Sequence, residues 1–246
     1  MEDIHCWEEK FEMCGYATRL LDSITSLNKL VQYPVDLREI KKGIYYARKY
    51  HGVQMRQSGD PYYSHPIEVA YMLAEFTAYE APKLFIPSML NAALLHDTVE
   101  DTPLTEDDIT KIFDKDIASK VEGLTRVKPY GKISAEESLN LLIQQKRHDI
   151  GLIKVFDRIH NIQTLGAKSP EKAKKIIEET LISFITLAIY LEIPIVKQKI
   201  VDLCFQHLSI KQPLTQDQDE DFFQGNFHSF FLMFQNEISQ TGKLQQ

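Results

Sequence analysis

Apolar residues recur every three to four positions along most of this chain, the period of amphipathic helices packed on a shared core. That period predicts helices over residues ~36–55, from about His65 through Met72 and Leu73, then over ~81–100, ~115–126, ~134–147, ~151–165, ~170–191 and ~195–208. Punctuation supports the boundaries. Ser58-Gly59-Asp60-Pro61 breaks the first helix, and Pro66 stands at a first-turn position of the second. Thr105-x-x-Asp108 resembles a capping box with Asp in the place of Glu or Gln. No Gly-rich phosphate loop and no internal repeat occurs. The pattern predicts an all-α fold in three parts: a helical lead over residues 1–35, a main domain over 36–210, and a tail over 211–246.

The tail opens on a polar, acidic link, Gln216 to Asp221. Phe223, Phe227, Phe230, Phe231 and Phe234 follow at spacings of three and four, so their rings share one helix face. That face has two uses: to pack on the chain's own core, or to form a partner surface, including a homodimer through this C-terminal helix.

Composition narrows the function. The 246 residues carry a net charge of −7, which argues against a nucleic-acid partner. A local group of cations, Arg38, Lys41, Lys42, Arg48, Lys49 and Arg56, could still receive a small anionic substrate. Cys6, Cys14 and Cys204 are odd in number and form no CxxC motif, so no disulfide framework is expected. The start Met-Glu-Asp lacks a cationic signal-peptide region. Leu181 to Val196 is interrupted by Glu192 and Pro194 and is too short to span a bilayer. These features predict a soluble, cytoplasmic protein with no membrane partner.

The chemistry concentrates in Ala92-Ala-Leu-Leu-His-Asp-Thr-Val-Glu-Asp-Thr102. Helical spacing stacks Glu100 on His96 and Asp101 on Asp97. Four ionisable groups ending an apolar helix are costly unless paired, and a divalent cation is the simplest partner. A second apolar approach, Leu152 to Phe156, ends in Asp157-Arg-Ile-His-Asn161, where Asp157, Asn161 and Thr164 share a face. His65, His96, Asp97 and Asp157 together make a donor set suited to a borderline divalent metal with open positions. His148-Asp149 repeats the dipeptide on a segment that reads as solvated, and is set aside.

In order and spacing, these words resemble the RelA/SpoT homologue family. The matching residues are Ala47-x-x-x-His51-x-x-Gln54-x-Arg56-x-Ser58-Gly59-Asp60-Pro61-Tyr62, His65-Pro66, Leu95 to Thr102, Gly123-Leu-Thr125, and Ile153 to Asn161 with Thr164-Leu165. The resemblance implies an HD-type helical bundle. It implies that His65, His96, Asp97 and Asp157 ligate one Mn²⁺, and that Glu100 and Asp101 position or activate the attacking water. It places Arg56 and Ser58 at the guanine end of a nucleotide, with Tyr62, Asn161, Thr164 and Leu165 in the same pocket. The implied substrate is a guanine nucleotide alarmone, guanosine tetra- or pentaphosphate, cleaved at its 3′-pyrophosphate. His51 and His160 are expected in supporting roles, and Arg158 in a salt bridge to a ligand carboxylate. Gln57 departs from the family, which has lysine there. Two alternatives stay open: a phosphohydrolase acting on another nucleotide such as NADPH, and a regulatory module that binds without turnover.

Overall fold

A computed structural model describes residues 4–128 and 131–209 of the chain. The fold is all-α. In chain order its helices are α1 (Gly15–Leu27), α2 (Leu37–His51), α3 (Ser64–Glu80), α4 (Pro87–Leu95), α5 (Thr98–Asp101), α6 (Glu106–Ile112), α7 (Lys115–Leu124), α8 (Ala135–Gln144), α9 (His148–Gln163), α10 (Pro170–Glu179), α11 (Ile185–Tyr190) and α12 (Pro194–Ser209). The helical period did not foresee a two-residue antiparallel ribbon between α7 and α8, with β1 (Val127–Lys128) against β2 (Gly131–Lys132). The Phe-rich stripe of the tail lies outside the described residues.

The organising element is α4. Every residue from Met89 to Leu95 is buried, so this helix is enclosed on all sides, and α2, α3, α7 and α9 pack around it. A helix apolar all round has to be central, because any exposed face would leave hydrocarbon in water at about 25 cal/mol per Å². Its continuation is what carries charge, so the polar residues emerge where the core ends.

Local chemistry explains most boundaries. Asp36 accepts from the Arg38 amide and caps α2, and Gly52 closes that helix with a positive φ of 50°. Thr105 and Asp108 form the expected capping box on α6, each side chain bonded to the other's amide. Ser169 caps α10 with Pro170 at its first turn. The lead contributes to the same core: Ala17, Leu20 and Ile24 of α1 are fully buried where α1 meets α2 and α3.

One close approach invites a test. A methyl group at Gly43 of α2 would lie 2.1 Å from Asn91 Oδ1 and 2.8 Å from Leu94 Cδ1 on α4. Gly43→Ala is expected to cost about 1–3 kcal/mol by forcing α2 off α4, although alanine is the better helix former. Urea unfolding reads this directly. A variant as stable as the parent would show that the interface has slack.

Two helices depart from their sequence reading. The helix expected over ~81–100 ends at Leu95, and α5 is a separate short turn after His96 and Asp97. Between α10 and α11 the chain makes one π turn, Thr180–Phe184, inside an otherwise continuous rod. The wider turn carries Phe184 to the wall of the cleft described next.

Candidate metal centre and substrate cleft

The ends of α4 and α9, the start of α3 and the short α5 meet at the floor of a cleft of about 440 Å³. All four expected metal ligands reach it. His65 Nε2 lies 3.0 Å from Asp157 Oδ1 and 3.6 Å from Asp97 Oδ2. His96 Nε2 lies 3.2 Å from Asp97 Oδ2 and 3.7 Å from Asp157 Oδ1. His65, His96 and Asp157 offer donor atoms all within 4.8 Å of one another.

The tautomers suit a cation. His96 Nδ1 is 2.8 Å from the Ala93 carbonyl, which can only accept, so the Nδ1 proton is donated there and the Nε2 lone pair faces the site. His96 Nε2 is buried with no hydrogen-bond partner, because Asp97 sits off its axis. His65 Nδ1 lies 2.7 Å from His160 Nδ1. Burial above all, with the Arg56 guanidinium nearby, pushes His160 down to about 3, which keeps it neutral and able to accept. His65 as donor leaves its own Nε2 lone pair towards the two carboxylates. Two lone pairs and two carboxylates within 4 Å repel one another unless a positive charge lies among them. Burial alone would lower the His96 pKa, yet Asp97 and Asp157 raise it well above the usual histidine range. A proton or a metal ion satisfies that demand, so the four residues fit a divalent cation.

The supporting residues then have defined jobs. His160 fixes the His65 tautomer, the outer contact that ligating histidines usually need. His160→Ala is expected to weaken metal binding about 10–100-fold, read by competition with a chromogenic chelator, while His160→Gln keeps an acceptor and loses less. Equal affinity in all three proteins would remove this role. Tyr62 reaches Asp97 Oδ2 and Asp101 Oδ2, both at 2.9 Å, and is held from behind by His51, whose ring stacks on it at 4.5 Å. Burial and these carboxylates push the Tyr62 hydroxyl pKa far up, so it remains a donor. Asn161 Nδ2 donates to Asp157 Oδ1 at 2.6 Å.

Glu100 and Asp101 both line the cleft, but not as the helical spacing predicts. Asp101 shares the Tyr62 hydroxyl with Asp97, as stacking requires. Glu100 leaves His96 and accepts from the Arg126 backbone amide at the end of α7, because the helix is interrupted between them.

Arg56 lines a smaller adjoining cavity of about 220 Å³ with Ser58, Tyr62, Asn161 and Thr164. It donates to Thr164 Oγ1 at 3.2 Å and lies 5.9 Å over the Tyr62 ring. Leu165 is 1% exposed, so it backs the wall as a core residue and does not line the cavity as expected.

Two further expectations are corrected. Arg158 pairs with Glu179 on α10 and stacks 4.0 Å over Phe184; it does not bridge to a ligand carboxylate. The cationic group read along α2 is largely spent on structure: Arg38 pairs with Glu8, and Lys42 lies over Phe113. The cations lining the cleft are instead Arg126, Lys154, Lys168 and the Glu179-paired Arg158, of which the first three were not singled out by the helical period. Lys154 sits one turn before Asp157, donates to the Leu124 carbonyl at 2.7 Å, and is lowered by burial to about 8. An unpaired lysine on the same buried face as Asp157 was the available signal. The set-aside pair stays apart: His148 contacts Tyr190 and Asp149 binds Arg147.

Several known proteins are similar to this chain. A family model described as an HD domain matches residues 43–193. A GTP pyrophosphokinase rsh of Brucella ovis is 35% identical over 191 residues, 74% of this chain and 24% of that protein. The bifunctional (p)ppGpp synthase/hydrolase SpoT of Escherichia coli K12 is 39% identical over 193 residues, 74% of this chain and 26% of that protein. The chain therefore spans about a quarter of the length of these relatives. A solved structure of a metazoan orthologue of SpoT, reported to hydrolyse ppGpp, shares the fold with a TM-score of 0.54 at 23% identity, covering 69% of this chain and 95% of that one. Among the described residues no helix is long and apolar enough to cross a membrane.

Proposed function

Because the chain belongs to the HD-domain family, and within it to the RelA/SpoT homologues, we propose that it hydrolyses the 3′-pyrophosphate of guanosine tetra- or pentaphosphate, releasing pyrophosphate and leaving GDP or GTP. The observation that carries this reading is the convergence of two imidazole lone pairs and two carboxylates on the floor of a cation-lined cleft. The activity named for the Escherichia coli relative supports the substrate.

In this reading His65, His96, Asp97 and Asp157 hold one Mn²⁺. When bound, the cation supplies Lewis-acid charge at the scissile phosphate and makes nearby water more acidic. Glu100 and Asp101 flank the floor and accept the proton of the attacking water as its oxygen bonds to phosphorus. The bond from phosphorus to the ribose 3′-oxygen breaks, and that oxygen takes up the proton the carboxylate received and leaves as the 3′-hydroxyl of the product. Tyr62 holds Asp97 and Asp101 in register, so one hydroxyl orients both a ligand and a base. Lys154 and Arg126 offset charge on the phosphates in a partly water-excluded site. Arg56 presents its planar guanidinium to the base in the smaller cavity, with Ser58, Asn161 and Thr164 around it and Leu165 behind.

The decisive assay measures release of pyrophosphate from guanosine tetraphosphate and guanosine pentaphosphate, and of phosphate from NADPH, by the purified protein after metal removal and after readdition of Mn²⁺. Release from the guanosine polyphosphates that requires the metal is the expected result. Phosphate release from NADPH alone would move the substrate, and tight binding without product would make the chain a sensor.

A further inference from the structure

Lys168 occupies a position that the metal chemistry leaves unused. It is the one cationic side chain among the described residues that lines both cavities, the larger one over the metal ligands and the smaller one around Arg56. Its backbone is pinned. Lys168 follows a 3₁₀ turn, Leu165–Ala167, and its amide donates to the Leu165 carbonyl at 2.9 Å. The next residue, Ser169, caps α10. Among the described residues no carboxylate pairs with the Lys168 ammonium and no side chain accepts from it. Burial lowers its pKa, and the neighbouring charges of Lys172 and Arg56 lower it further. A half-buried ammonium among other cations, with no acceptor of its own, favours an anionic ligand over water.

The cavity arrangement says which anion. With the 3′-pyrophosphate over the metal ligands and the base beside Arg56, the ribose lies at the junction and its 5′ arm leaves from there. We propose that Lys168 binds the outer phosphate of the substrate's 5′-diphosphate and makes the enzyme selective for a nucleotide that carries a diphosphate, rather than a monophosphate, on the 5′ side of the ribose. Gln57, which stands where the family has lysine, lines the smaller cavity as well. Lys168 supplies a second cation from the facing wall. This inference rests on the proposed substrate but makes a separate claim about it.

The test compares guanosine 3′,5′-bisdiphosphate with guanosine 5′-monophosphate 3′-diphosphate, which lacks only the outer 5′ phosphate. A charge-assisted contact to that phosphate is worth about tenfold or more in affinity. The parent protein is expected to favour the bisdiphosphate by about tenfold in KM. Lys168→Ala should reduce that preference to near unity through KM, with kcat little changed. Lys168→Arg should retain it. Lys172→Ala, which removes an exposed cation in the first turn of the following helix α10, should retain it too and so exclude a diffuse charge effect. Equal losses on both nucleotides in Lys168→Ala, or a parent that does not discriminate, would overturn the proposal. If neither nucleotide is turned over, the hydrolase reading fails alone, and the ratio of calorimetric Kd values decides Lys168 by the same criteria. Binding of neither nucleotide overturns both.

Discussion

His96→Ala is expected to reduce metal-dependent turnover by about a thousandfold or more, the largest effect of any single substitution in this protein. The physical reason is cumulative. The imidazole supplies a lone pair that nothing else in the fold uses, since its Nδ1 is committed to Ala93 and its Nε2 has no partner. Removing it leaves Asp97 and Asp157 facing one another with one neutral donor fewer, so metal affinity falls. A metal ion contributes several kcal/mol of transition-state charge stabilisation, and about 4 kcal/mol is already a thousandfold. The expected signature is joint loss of bound metal, by elemental analysis, and of pyrophosphate release. His96 is 5% exposed, so thermal unfolding must accompany the assay to separate lost metal from lost fold. A folded variant with parental turnover would remove the proposed centre. Asp157→Asn is expected to behave alike, because Asp157 lies within 4 Å of both histidines.

The second large effect separates proton transfer from metal binding. Glu100→Gln and Asp101→Asn keep the size of each side chain but remove its ability to accept a proton. Each is expected to lower kcat by about 10²–10⁴, the usual worth of a positioned general base. The structure makes the pair informative. Asp101 accepts from Tyr62, so its amide variant can turn its NH₂ towards that hydroxyl and disturb Asp97 as well. Glu100 accepts from the Arg126 amide, so Glu100→Gln can retain that bond through its carbonyl oxygen. Glu100→Gln is therefore expected to change kcat alone, and Asp101→Asn to change kcat and weaken metal binding slightly. A pH–rate profile adds a second reading, because loss of the base should remove the acidic limb. If both variants retain parental kcat, the water is activated elsewhere.

The legible and illegible parts of this protein divide along the range of the forces involved. Helix positions were readable because amphipathic periodicity, capping by Thr105, and the breaker at Ser58 to Pro61 are local signals. The centrality of α4 was half visible in its apolar run, broken only by Asn91 between Met89 and Leu95. The interruption after Leu95 was not, because residues 96 and 97 keep helix-like backbone angles while their side chains turn to tertiary partners. For that reason the Asp97–Asp101 pair held and the His96–Glu100 pair did not. The substrate-side cations were misplaced for a related reason. The cations from Arg38 to Arg56 were read as able to receive an anion, and Arg56 does line the smaller cavity, yet Arg38 and Lys42 are engaged by Glu8 and Phe113, residues remote in sequence. Lys154 and Lys168 stand out less in the chain and reach the cleft because α9 and the turn before α10 enclose it.

By itself the sequence determined the donor chemistry: two histidines and two aspartates at helix ends, with acids one turn later, are what a divalent cation needs. It also determined the helices that carry them, since those follow from short-range backbone and hydrophobic preferences. Only the tertiary structure decided which nitrogen of each histidine faces the metal, which cations meet the substrate, and that Leu165 and Arg158 serve the walls. Those outcomes depend on which groups lie within a few ångströms across the fold, where burial strengthens electrostatic interactions, and no period along the chain encodes them.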